Sequence, residues 1–127
     1  MIVSLHVATG AAAGVLAGSR PVALLLGPLV HLAGDRVPHD DIDSLGFEIG
    51  SGLAALALLA ARRGPFDPAV LGGAAASAPD LEHLVPWLRP RGRKLFHREG
   101  NVHSGISTGA QLLAAGVIVG FLLGRRR

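Results

Sequence analysis

Residues 21–43 read PVALLLGPLVHLAGDRVPHDDID, an uncharged apolar run that passes into a cluster of two histidines and four aspartates between His31 and Asp43. The apolar half predicts a helix from Pro21 to about Gly34, because the N–H that proline lacks is unpaired at a helix start anyway. His31 and Asp35 are four residues apart, so a helix stacks them on one face. Pro38 ends the helix and turns His39 and Asp41 back toward the same centre. Such a cluster is either a solvated loop or a ligand set, and the rest of the chain has to choose between them.

Working outward, the pattern predicts further helices at about Val3–Ala17, Leu45–Arg62, Pro68–Leu84 and Ser104–Leu123, with Ser104 as the cap of the last. Breaks fall at GSRP, DRVPHDDID, RRGPFDP and VPWLRPRGRKLFHREGNV, where proline, glycine and charge coincide. A chain of 127 residues fits a single domain. Half of it is hydrophobic and 17% is charged, against roughly 25% in ordinary soluble domains. The fold class is therefore all-α, a compact bundle of apolar helices expected to be membrane-embedded, with a His/Asp site at one end. The last helix, about twenty uncharged residues, is long enough to span a bilayer. The others, at roughly fourteen to seventeen, need a thinned one. The N-terminal stretch lacks a basic region and carries His6, so it reads as a mature helix and not as a cleaved signal. Gly10, Gly14 and Gly18, and again Gly116, Gly120 and Gly124, recur every fourth residue. That spacing lets helix backbones approach and offers a route to oligomers.

Short connections make consecutive helices alternate in direction. His6, His31, His39, His83, His97 and His103, which are all six histidines, then fall at one end of the bundle, with every acid except Asp67. The other end holds Arg20, Arg62, Arg63 and the terminal arginines. Groups that merely solvate loops would appear at both ends. Imidazoles and carboxylates gathered from distant segments predict a metal site, because crowded carboxylates repel unless a cation joins them. With no cysteine, the ligands must be His, Asp or Glu. Asp80 and His83 share a helix face, with Glu82 turned aside. Glu48 and Gln111 interrupt apolar helices and hydrogen-bond either to ligands, to each other or to backbone. The RPRGRK run carries no accompanying nucleic-acid motif, so no nucleic-acid partner is expected; one or two of its arginines could serve a substrate phosphate.

SLHVATGAAAG, APDLEHL and FHREGNVHSG resemble the three motifs of the membrane-bound, metal-dependent hydrolases (the LexA-regulated inner-membrane hydrolase group). HLAGDRVPHDD resembles the His-x-x-x-Asp-x-x-Pro-His-x-Asp segment of related small bacterial membrane proteins, and the likeness extends distantly to zinc-dependent phospholipase C. The resemblance implies metal ligands at His6, Asp80, His83, His97 and His103, and through the extra segment at His31, Asp35, His39 and Asp41. It also implies two or three Zn²⁺ ions or other divalent metals, with Asp41 or Glu82 as general base. A metal-activated water would attack a phosphoester or lipid substrate, in a multi-pass protein of the bacterial inner membrane. The sequence departs from the family pattern at Glu82, at Glu99 and Val102, and in the long interval between His6 and Asp80. By themselves the residues leave open a non-catalytic membrane protein with a structural metal or an ion path, and a soluble helical hydrolase.

Overall fold

The computed structural model describes residues 1–81 and 105–125. Helix α1 spans Val3–Ala17, α2 Arg20–Gly34, α3 Leu45–Arg63 and α4 Pro68–Ser77, which continues through a 3-10 turn at Ala78–Asp80; α5 spans Thr108–Gly124. No strand occurs among the described residues, only an isolated parallel bridge between His39 and Ile106.

Local chemistry sets the helix ends. Gly18 closes α1 in the left-handed conformation, φ 63°, where a side chain would be strained. Asp67 caps α4 by accepting from the Ala69 N–H at 2.9 Å, with Pro68 at the first helical position. The last helix begins later than its composition suggests: its cap is Ser107, which accepts from Ala110 N–H at 3.3 Å, not Ser104. The reason is the segment before it. Ile106 donates to Pro38 O at 3.0 Å and accepts from Asp40 N–H at 3.1 Å, which holds the chain extended against the loop after α2.

Helix α1 lies at the centre. Val7, Ala8 and Ala11 are fully buried, packed in one cluster with Leu59 of α3, Ala69 and Val70 of α4, and Ala115, Val119 and Leu122 of α5. Small residues bring α1 and α4 close. A Cβ at Gly10 would lie 2.4 Å from Gly72 O, and one at Gly14 only 2.0 Å from Pro68 O. Gly10 and Gly14 thus serve interhelical packing, as expected, whereas Gly18 meets nothing within 4 Å and ends the helix instead. Within the chain the second series packs against nothing: a Cβ on Gly116, Gly120 or Gly124 would meet no atom within 4 Å.

The side chains at the bundle's two ends satisfy helix termini. Gln111 of α5 accepts from Ile2 N–H at 3.1 Å and donates to Asp40 O and Ile106 O at 2.7 and 3.1 Å. At the far end Arg62 donates to Leu123 O at 3.2 Å and Arg63 to Leu122 O at 3.3 Å, so two arginines from α3 cap the carbonyls that end α5. Arg63 also pairs with Asp67 at 3.0 Å. That pairing explains why one acid stands at the arginine end.

Much apolar surface faces outward. Leu25 and Leu29 on α2, Leu53 and Leu58 on α3, and Leu113, Val117 and Phe121 on α5 are each more than half exposed. By length and composition α3 is the one described helix able to cross a membrane; α1, α2 and α5 are shorter apolar helices. The last helix falls short of the expected span because the bridge to Pro38 and Asp40 delays its start, leaving 17 residues.

Candidate metal centre

The alternation of helices brings the first turns of α1, the last turn of α2 and the end of α4 to one place. His6 comes from α1, and His31 comes from α2 with Asp35 at that helix's C-cap. Asp80 closes the 3-10 turn after α4. His6 and His31 are fully buried and stacked, with ring centroids 3.9 Å apart. The Asp35 carboxylate spans both rings: Oδ1 is 3.0 Å from His6 Nε2 and Oδ2 is 3.1 Å from His31 Nε2. Asp80 Oδ2 is 3.9 Å from His31 Nδ1. One donor atom each from His6, His31 and Asp80 lies within 4.8 Å of the others.

Hydrogen bonding fixes how the rings present their nitrogens. His31 Nδ1 lies 2.8 Å from Ala76 O, and a carbonyl only accepts, so Nδ1 carries the hydrogen. In the neutral ring Nε2 is then a lone pair, and it faces a carboxylate oxygen. Two acceptors in such contact need a proton or a cation between them. His39 repeats the device, with Nδ1 2.6 Å from Val37 O and Nε2 turned to the Met1 amine and, at 3.4 Å, to Asp41 Oδ1. An imidazole whose outer N–H is anchored on a backbone carbonyl while its other nitrogen points inward is how metal-ligating histidines are commonly held.

The donor set fits a divalent ion. Imidazole nitrogens with carboxylate oxygens suit zinc and its neighbours. In a tetrahedral arrangement with bonds of about 2.0–2.1 Å, adjacent donors lie about 3.3 Å apart. The two Nε2–Asp35 separations, one to each carboxylate oxygen, are close to that, and the group whose donor atoms all lie within reach of one ion is His6, His31 and Asp80. His6 Nδ1 is buried with no hydrogen-bond partner among the described residues.

Of the residues singled out in the sequence, His6, His31, Asp35 and Asp80 converge. His39 stands beside them on the loop after α2, through its own contact and through the Met1 amine, which lies 2.8 Å from Asp35 Oδ1. Asp41 sits at the mouth with its side chain 55% exposed. Glu82, His83, His97 and His103 lie outside the described residues. Gln111 binds backbone on three segments and not Glu48, so it braces the loop that carries His39. Glu48, in the first turn of α3, lies beside the Val3 backbone and within the field of Asp80 and Asp41. A lone acid near the start of an apolar helix was the signal for it. The chain matches no family model, no curated protein and no solved structure.

Proposed function

We propose that this chain is a metal-dependent hydrolase, embedded in a membrane, that acts on a phosphoester or lipid substrate at the end of the bundle where its histidines and aspartates meet. The observation that carries the reading is His31: anchored through Nδ1 on Ala76 O, it turns Nε2 onto the Asp35 carboxylate at 3.1 Å. His6, His31, Asp35 and Asp80 would hold the ion. A divalent ion there supplies an acidified water and stabilises negative charge on a reacting oxygen.

The chain's own groups supply the rest. The Ala76 and Val37 carbonyls fix the two imidazoles, and Asp35 offers one oxygen to each buried ring. Asp41 Oδ1, exposed and held beside His39 Nε2, is positioned to take a proton from water entering at the mouth. Burial of His6 and His31 keeps bulk water from the inner wall. Apolar residues exposed on α2, α3 and α5 support contact with lipid, and the motif resemblance points to the bacterial inner membrane.

The test is hydrolysis of a chromogenic phosphodiester by purified protein, stripped of metal and then reloaded with zinc. Asp80→Ala is expected to abolish turnover while helicity and cooperative unfolding persist. The burial of His6 and His31 favours one competing reading, a purely structural ion. That reading predicts no turnover in the wild type and unfolding of Asp80→Ala.

A further inference from the structure

The arginine end takes no part in the metal centre, and its charges are not all occupied. Arg63 is paired with Asp67, and Arg62 donates to the end of α5. Arg125 lies 5.3 Å from the Phe121 ring. Arg20 is different. It opens α2, is exposed, and pairs with no acid among the described residues.

Arg20 lines an open cavity of about 300 Å³ together with Gly64, Pro65, Phe66, Asp67 and Pro68. Asp67 is buried and held by Arg63 and the Ala69 N–H, so its charge is already answered. What remains is one available cation beside an apolar wall, on which Phe66 is 67% exposed. Such a groove fits a molecule with an anionic group joined to an apolar body. A free phosphate ion would satisfy Arg20 and leave the wall wet. The exposed apolar faces of α2 and α5 reach this same end, where among the described residues four arginines outnumber the single acid.

We infer that this groove docks an anionic phospholipid, its phosphate on Arg20 and its first acyl methylenes against Pro65 and Phe66. The arginine end then lies at an anionic leaflet and the metal centre at the opposite side. This rests on the membrane reading above.

Protein purified in neutral detergent is incubated with equal amounts of phosphatidylglycerol and phosphatidylcholine, and retained lipid is quantified by mass spectrometry. The wild type is expected to favour phosphatidylglycerol by about fivefold, the scale of one arginine at an anionic surface. Arg20→Gln removes the preference, Arg20→Lys keeps most of it, and Arg36→Gln, at the other end, leaves it unchanged. Phe66→Ser, which alters an exposed side chain, lowers retention while Arg20 is intact. Metal content is the same in all four variants. Equal retention of the two lipids by the wild type, or an undiminished preference in Arg20→Gln, overturns the inference. So does a lipid-free dimer that covers the groove. A chain that extracts without detergent sinks the membrane reading and this inference with it. A detergent-requiring chain that shows no lipid preference sinks this inference alone.

Discussion

Replacing Gln111 with methionine tests whether the bundle's site end is held together as described. The substitution roughly conserves volume, so packing changes little. It removes three hydrogen bonds. Ile2 N–H loses its acceptor at 3.1 Å and Asp40 O loses its donor at 2.7 Å. Ile106 O keeps the Asp40 N–H at 3.1 Å, so two backbone groups are stranded and not three. A stranded buried group costs about 1–3 kcal/mol, and the partly buried Asp40 carbonyl falls toward the lower part of that range, giving about 2–5 kcal/mol in all. For a chain of this length that corresponds to a fall of roughly 8–20 °C in unfolding midpoint. Thermal unfolding followed by circular dichroism, together with denaturant titration, measures it. Because Asp40 adjoins His39, metal affinity should weaken as well. A stability loss below about 1 kcal/mol would refute the claim that Gln111 ties α1, α5 and the loop after α2.

Other outcomes follow from the same geometry. Gly14→Val places a Cβ 2.0 Å from Pro68 O and should cost about 3 kcal/mol, the upper range for overpacking. Gly116→Ala meets nothing within 4 Å and should be neutral or gain up to about 1 kcal/mol from helix propensity; equal effects in denaturant titration would contradict the assignment of the two faces. Asp67→Ala removes the cap of α4 and the partner of Arg63, for a loss of about 2 kcal/mol, whereas Asp67→Asn should retain much of the capping. Zinc at a hundredfold excess over its dissociation constant should stabilise the wild type by about 2.7 kcal/mol. A chelator should reverse that gain, and His31→Ala should not show it.

The architecture was legible because its signals are local. Proline at the start of α4, glycine after α1 and uncharged runs between breaks place most helix ends to within a residue or so; the exceptions are the late start of α5 and the end of α4, which stops at Ser77 and not near Leu84 because Pro79 lies in the 3-10 turn that follows. Alternation then brings His6, His31, Asp35 and Asp80 together without any knowledge of packing. What escaped depends on partners that leave no side-chain signal. The Ala76 carbonyl that orients His31 could belong to any residue, and nothing in an apolar α5 says that Gln111 will choose the backbone of Ile2 and Asp40 over Glu48. Ser104 and Ser107 are equally good caps; the pairing of Ile106 with Pro38 and Asp40 selects the second. The two glycine series look alike in sequence, yet Gly10 and Gly14 meet the α4 backbone while Gly116, Gly120 and Gly124 meet nothing within the chain, because only burial distinguishes them.

The central claim is that His6, His31, Asp35 and Asp80 share a divalent cation. Elemental analysis of the purified chain, repeated on His31→Ala and Asp35→Asn after confirming that both remain helical, tests it most directly. The account predicts at least one equivalent of zinc or a similar metal in the wild type and a marked loss in both variants. A metal-free wild type, or variants that retain the full metal content, would contradict it.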